Sequence, residues 1–186
     1  MKKIILLTAV IFLAGVALLV QLQKKSVSYQ TIPAGYYQNF LSSRERNEQE
    51  VLCALIRTPE EYDILFHPAA VMPIRIGGEM RPFFPDKTFY DTNQIIVVAR
   101  EMPAPEDGRL NKVFAVDKII AKNGNLLFYY TFKKPQNISA FSVNNYLAVR
   151  IPKEGIYKKV LFFENGKNVG NLNLTKDEWV IPSALY

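Results

Sequence analysis

Two Asn-Gly dipeptides, Asn123-Gly124 and Asn165-Gly166, constrain the fold of this chain more than any other feature. Each joins two predicted strands, and three of the four adjoining runs are rich in valine, isoleucine, leucine and aromatic residues, a composition typical of β-strands. Because asparagine and glycine both tolerate positive φ, such a dipeptide closes a two-residue turn whose twist matches that of the adjoining strands. The sequence therefore predicts two β-hairpins, one about each dipeptide.

A two-residue turn also fixes which residues face each other across a hairpin. The predicted partners across the first turn are Ile120 with Leu127, Ile119 with Phe128, Asp117 with Tyr130, and Ala115 with Phe132. One face then holds Ala115, Ile119, Phe128 and Phe132, and we expect this face to point into the core. The second turn places Glu164 opposite Lys167, an attractive pair of opposite charges.

Further strand patterns and one helix surround the hairpins. The predicted strands are residues 51–56, 94–101, 111–121, 126–133, 146–151, 159–164 and 167–174. Thr58-Pro59-Glu60-Glu61 combines a helix N-cap, a proline at the first helical position and a capping glutamate, so a short helix should begin there. The predicted fold class is α+β and mostly β: an antiparallel meander that forms a sandwich or an open barrel, with one short N-terminal helix.

The first 25 residues are typical of a membrane-directing segment. Lys2 and Lys3 precede an uncharged run from Ile4 to Val20, and two more lysines close it. The run of 17 residues covers roughly 26 Å as a helix, slightly less than a bilayer core of about 30 Å. Two outcomes fit: an uncleaved anchor through residues 4–22, or a signal peptide cleaved near Ala17. Either outcome places the rest of the chain in the cell envelope, outside the cytoplasm.

The rest of the chain divides into a polar stretch and one domain. Residues 26–50 end in a mixed-charge run without apolar residues, which predicts a linker or stalk. Residues 51–186 have a length that suits a single β-rich domain with its own core.

Charge and cysteine content argue against several functions. The formal charge is +6, but four lysines flank the membrane-directing segment, and without them 19 basic residues face 17 acidic ones. Such a balance gives no electrostatic footprint for a nucleic acid. A single cysteine excludes an intrachain disulfide, and one cysteine with one histidine does not make a zinc site. We therefore expect no nucleic-acid partner, metal or cofactor.

Three residues are candidates for catalysis. Cys53 and His67 are the only thiol and the only imidazole, but Cys53 lies in an apolar run where a thiolate is disfavoured. His67 follows the predicted helix, where it also fits a capping or surface role. Asp117 is an acid on the predicted core face beside Tyr130, which fits either a catalytic carboxyl group or a structural hydrogen bond. An envelope hydrolase using Asp117 or His67 is therefore the alternative to a non-catalytic protein.

Residues 94–153 resemble the C-terminal domain of the protease complex subunit PrcB family. The resemblance lies in Ile95-Ile96-Val97-Val98, in the hairpin about Asn123-Gly124, and in the run from Asn145 to Lys153, NYLAVRIPK. Upstream, Thr58-Pro59-Glu60-Glu61-Tyr62 is similar to the short helix that often precedes that domain. Where the family has a Thr-Gly-Gly-Tyr-like turn, this chain has Pro103-Ala104-Pro105-Glu106-Asp107-Gly108-Arg109. The resemblance implies a non-catalytic envelope module that assembles with an exported protease.

The function expected from the sequence is that of a membrane-tethered or exported binding module. We expect a loop from Met102 to Arg109, at one end of the sheet, to engage a protein partner. The residues proposed for this contact are Pro103, Pro105, Glu106, Asp107 and Arg109. A structural component of a larger membrane assembly, with residues 26–50 as its stalk, is a further alternative.

Overall fold

The computed structural model describes residues 24–32, 51–66, 85–106, 113–154 and 157–181. In these ranges the chain forms ten strands, two short α-helices and one turn of 3-10 helix. The strands are β1 (Lys24–Ser26), β2 (Gln30–Ile32), β3 (Leu52–Ile56), β4 (Asn93–Pro105), β5 (Phe114–Lys122), β6 (Asn125–Phe132), β7 (Ile138–Pro152), β8 (Lys159–Glu164), β9 (Lys167–Asn173) and β10 (Val180–Ile181). The helices are α1 (Pro59–Phe66) and α2 (Phe89–Thr92), and the 3-10 turn is Leu174–Lys176.

The strands form two five-stranded sheets. The first sheet has the order β1-β5-β6-β8-β9, and the second has the order β10-β3-β4-β7-β2. The predicted α+β class, mostly β, is confirmed, and the two packed sheets form the predicted sandwich. The simple meander is wrong, because β6 and β8 are parallel neighbours. The chain leaves the first sheet after β6, passes through the second sheet as β7, and returns to the first sheet at β8. β8 therefore runs in the same direction as β6.

Two apolar clusters hold three layers together. The first lies between the sheets and includes Phe128 and Phe162 from the first sheet and Val98 and Val149 from the second. The second cluster covers the outer face of the second sheet with the apolar side of α1 and with Trp179. Strands buried on both faces need apolar residues at consecutive positions, which explains why all five residues of β3 are buried.

The hairpin predictions are confirmed near the turns. Asn123 and Gly124 have φ of 52° and 73°, and Asn165 and Gly166 have φ of 49° and 81°. The predicted pairing of Ile119 and Ile120 is observed in the first hairpin, and Glu164 lies opposite Lys167 in the second.

The register predicted farther from the first turn is wrong. A β-bulge between Val116 and Lys118 leaves Asp117 without a partner strand residue, and Val116 takes the place opposite Tyr130. A bulge adds one residue to one strand, so every pair beyond it shifts by one. Phe114, not Ala115, therefore lies opposite Phe132, and Ala115 is exposed.

The predicted helix is confirmed as α1. The Glu61 N–H donates to Thr58 Oγ1 at 3.2 Å, as expected of an N-cap. The Glu61 carboxylate reaches back and accepts a hydrogen bond from the Arg57 N–H at 2.5 Å. Tyr62, Leu65 and Phe66 are buried against the second sheet, also as predicted.

Residues 24–32 correct the predicted domain boundary. β1 pairs with β5, and β2 pairs with β7, so these residues form an edge strand of each sheet instead of a linker. Their side chains are mostly polar and exposed, but Val27 and Ile32 are buried. The rest of the predicted linker and the predicted membrane segment at residues 4–22 lie outside the described residues. Within the described ranges, no helix has the length and apolar character needed to cross a bilayer.

Candidate interaction site

The residues proposed for partner contact lie mainly on a strand. Pro103 and Pro105 belong to β4, opposite Ser142 and Ile138 of β7, and the Glu106 N–H donates to the Asn137 carbonyl at 3.2 Å. The predicted loop is therefore wrong for Met102–Pro105. The reason is that β7 begins at Ile138, eight residues before the predicted start, and its extra length pairs with the end of β4. Asp107 and Arg109 lie outside the described residues.

These ends of β4 and β7 form a two-stranded ribbon, which we define as Met102–Pro105 and Ile138–Val143. β3 last pairs with β4 at Leu52 opposite Ala99, and β2 pairs with β7 only opposite Ala148–Arg150. In the part of the chain that the structure describes, the ribbon thus has no third strand on either side. It projects beyond its own sheet.

The inner side of the ribbon is packed against the domain. Met102 and Ala104 are buried, and Met102 belongs to the cluster between the sheets, with Val113 and Phe114. The Asn145 side-chain amide donates to Met102 Sδ at 3.8 Å, which is a weak contact to sulfur. Ser139 Oγ donates across the ribbon to the Ala104 carbonyl at 3.1 Å. The ribbon is therefore attached to the core along one strand.

Two large apolar side chains of the ribbon face solvent. Phe141 is 64% exposed and Ile138 is 43% exposed. Phe141 lies between Ser142, which is opposite Pro103, and Ile138, which is opposite Pro105, where the register of β7 with β4 shifts as in a β-bulge. Exposed aromatic residues are common at protein interfaces, and this pair is the clearest exposed apolar feature of the described residues.

The two edges of the ribbon differ in their capacity to accept another strand. The β4 edge carries Pro103 and Pro105, which have no N–H to donate to a ladder. The β7 edge has no proline between Ile138 and Ile151. An incoming extended segment would therefore find more backbone donors along β7 than along β4.

A largely buried ion pair lies where the ribbon begins. Arg100 of β4 donates to Glu164 of β8 through Nη2 to Oε1 at 2.6 Å and through Nε to Oε2 at 3.2 Å. The two side chains are 14% and 11% exposed. Tyr130 Oη donates to Glu164 Oε2 at 3.0 Å, and the Arg100 guanidinium lies 4.9 Å from the centre of the Phe132 ring. Since β4 and β8 belong to different sheets, this cluster ties the two sheets together under the ribbon.

The electrostatics of the cluster do not resemble those of an activated nucleophile. Burial raises the pKa of the Cys53 thiol well above its ordinary value, and the charge of Glu164 adds to the shift. Burial also raises the pKa of Tyr130. Both groups are thus kept neutral at physiological pH, whereas a reactive cysteine needs a lowered pKa.

Asp117, the second of the three catalytic candidates to be considered, is a surface residue. Asp117 is exposed on the bulge of β5 and accepts hydrogen bonds from Thr131 Oγ1 at 3.0 and 3.2 Å. Its predicted position beside Tyr130 on the core face is wrong, because the bulge turns it outward. His67 lies outside the described residues. Within those residues there is no group of three or more histidine, cysteine, aspartate or glutamate side chains that would hold a metal ion.

Comparison of the chain with protein-family models, curated proteins and solved structures finds no match.

Proposed function

We propose that this chain is a non-catalytic binding module of the cell envelope, tethered to the membrane or exported, that engages a protein partner through its ribbon. The observation that supports this proposal most is the exposure of Phe141, 64%, on a strand whose outer edge is unpaired within the described ranges. An exposed aromatic side chain beside unpaired backbone groups offers both apolar area and hydrogen bonds.

The geometry favours strand addition as the mode of binding. In this mode an extended segment of the partner pairs with the β7 edge over residues 138–144, and backbone hydrogen bonds supply affinity. Side chains of the added strand that lie beside Phe141 and Ile138 would meet apolar surface, which supplies selectivity for apolar residues. The prolines of β4 direct the addition to the β7 side.

The resemblance to the PrcB family suggests the class of partner. The ribbon lies within residues 94–153, the stretch that carries the resemblance. Its Met102–Pro105 strand includes part of the segment that stands in place of the family's Thr-Gly-Gly-Tyr-like turn. An exported protease, or a segment of one, is accordingly the partner that we propose. The neutral Cys53 and the exposed Asp117 give no support to a hydrolase built on these residues.

Site-specific photocrosslinking in cells of the source organism tests the proposal. A photoreactive phenylalanine analogue replaces Phe141 in one variant and Ile64 in a second; Ile64 is also an exposed apolar residue, 38% exposed, but lies on α1. We expect a discrete heterologous adduct from position 141 and none from position 64. Substitution Ile138→Ala should weaken the adduct, because Ile138 is the other exposed apolar side chain of the ribbon, whereas Ile64→Ala should not.

Two results would count against the proposal. If the variant labelled at position 141 yields only the uncrosslinked chain, no partner contacts Phe141 and the proposal is refuted. Adducts that are multiples of the chain's own mass would favour the structural component of a membrane assembly instead.

A further inference from the structure

A group of exposed lysines lies at the end of the sandwich opposite the ribbon. We call it the lysine rim and define it as Lys25, Lys122, Lys153, Lys158 and Lys159, all of which are exposed. Lys122 of β5 and Lys159 of β8 are both paired with Asn125 of β6 and so lie in one transverse row of the first sheet. With neighbouring strands about 4.8 Å apart, the Cα atoms of these two lysines are roughly 10 Å apart.

Backbone contacts bring the other members of the rim to the same end. The Lys158 N–H donates to the Gly124 carbonyl at 2.7 Å, which places Lys158 beside the first Asn-Gly turn. Lys25 of β1 is opposite Ala121 of β5, and Lys153 directly follows the end of β7. Five lysines from four segments therefore surround one corner of the domain.

Few carboxylates offset this charge. Glu154 pairs with Lys25 at 2.6 Å. Asp177, at the same end of the domain, is held by Arg57 at 2.9 Å, and Glu178 accepts a hydrogen bond from the Asn173 N–H at 2.9 Å. Among the ion pairs of the described residues, none involves Lys122, Lys158 or Lys159. Within the described residues these three charges have no carboxylate partner, and they can meet an anionic surface.

The start of β1 places the rim close to the apolar N-terminal run. β1 begins at Lys24, which lies opposite Lys122. Val20, the last residue of the run, is four residues earlier, a span of at most roughly 14 Å of extended chain. If the run enters a bilayer, the lysine rim cannot lie far from the lipid headgroups, because no long linker separates them.

We propose that the lysine rim lies against the anionic phospholipid headgroups of the membrane that holds the N-terminal segment, and that this contact orients the domain. The inference depends on the membrane tether in the proposed function. Each lysine near an anionic surface strengthens binding about fivefold, within a Debye length of about 8 Å at physiological salt. Two lysines neutralised together should reduce the ratio of membrane-apposed to free domains about 25-fold.

The full chain reconstituted into vesicles tests this orientation. Lys176→Cys and Lys167→Cys place labels at the two ends of the β9 segment with the same change in charge, and Cys53 is fully buried, so labelling is selective. We measure energy transfer from each label to a headgroup-labelled lipid, in phosphatidylcholine alone and in its mixture with phosphatidylglycerol. The Lys176→Cys label should lie closer to the bilayer in the anionic mixture, and 1 M salt should remove the difference, because the Debye length falls to about 3 Å.

Two matched lysine pairs supply the control. Lys158→Gln with Lys159→Gln removes two rim charges, and Lys133→Gln with Lys134→Gln removes two charges from the opposite end of β6. The first double variant should reduce the lipid dependence strongly and the second should preserve it. Equal transfer in both lipids, or equal effects of the two double variants, would overturn the proposal. The proposal would also be overturned if the orientation depended on Lys158 and Lys159 only when a protein extract was added to the vesicles. That result would indicate that the rim binds an acidic protein.

Alkaline carbonate extraction tests the tether separately. A chain that resists extraction but shows no lipid-dependent orientation contradicts the rim and preserves the tether. A chain that is extracted, yet floats with anionic vesicles only when Lys158 and Lys159 are intact, contradicts the tether and supports the rim.

Discussion

Replacing Glu164 by glutamine should destabilise the domain strongly, because it removes the negative charge that pairs with the largely buried Arg100. The carboxylate accepts two hydrogen bonds from Arg100, at 2.6 and 3.2 Å, and one from Tyr130 at 3.0 Å. Breaking a buried ion pair by changing one partner costs about 3–5 kcal/mol. Glutamine retains an oxygen acceptor and the pair is slightly exposed, so we expect a loss of about 2–3 kcal/mol in the free energy of unfolding.

The loss is measurable by urea unfolding followed through the fluorescence of Trp179, the only tryptophan, which is 5% exposed. A loss of this size lowers the melting temperature by roughly 10 °C in a domain of this length. Glu154→Gln is the matched control, because it breaks the Lys25–Glu154 pair, whose side chains are 72% and 60% exposed. An exposed pair adds little to stability, and we expect no measurable change from the control.

A double variant separates the charge from the packing. In Arg100→Met with Glu164→Gln the Arg100 charge is also gone, so stability should recover relative to Glu164→Gln alone. If Glu164→Gln were no worse than Glu154→Gln, the cluster would not tie the sheets together. If the double variant were less stable than Glu164→Gln, the stacking of Arg100 on Phe132 would outweigh the buried charge.

Two further predictions concern the turns and the buried ionisable groups. Asn165→Gly should lower the free energy of unfolding in urea by about 1–2 kcal/mol more than Asn123→Gly does. The reason is that the Asn165 side chain exchanges two hydrogen bonds with the Phe132 backbone, at 3.0 and 3.1 Å. Equal losses in the two variants would contradict this role. Burial raises the folded-state pKa values of Cys53 and Tyr130, so the unfolded state loses its protons at a lower pH than the folded state. The contribution of these two groups to stability should therefore be complete below pH 9.0, the ordinary thiol value, and should fall as the pH rises above it. Cys53→Ala should move the onset of this loss, measured as the urea midpoint against pH, towards the ordinary phenol value of 10.0; an unchanged onset would exclude the thiol as its source.

Local signals were sufficient for the parts of the fold that depend on local chemistry. The Asn-Gly turns need positive φ, and the cap of α1 needs a threonine and a glutamate at fixed spacing, so both could be read from short segments. The bulge at Asp117 could not, because it depends on the packing of Tyr130 and Phe132 against the opposite sheet. Nor could the parallel pairing of β6 with β8, since it follows from β7 joining the other sheet. Residues 24–32 were missed because edge strands need few apolar side chains.

The candidate site was predicted only in part, for a related reason. Pro103 and Pro105 interrupt a strand pattern, and a proline is more common in a loop than in a central strand. At the free edge of a ribbon the proline is tolerated, but whether an edge is free depends on the lengths of β3 and β2. Phe141 lies in a stretch of mixed polarity, ISAFSVNN, without the strict alternation that indicates a strand. The pairing of Arg100 with Glu164 joins residues 64 positions apart, and no local pattern indicates it.

The ribbon and the lysine rim lie at opposite ends of the same long strand, and this arrangement connects the two proposals. β7 runs from Ile138 in the ribbon to Pro152, one residue before Lys153 of the rim. Eleven residues separate Phe141 from Pro152, which corresponds to roughly 36 Å along a strand. If the rim lies on the bilayer, Phe141 is therefore held well above the headgroups. A partner that binds the ribbon would then be met away from the membrane surface, at a height set by the length of β7 and maintained by the Arg100–Glu164 pair at the base of the ribbon.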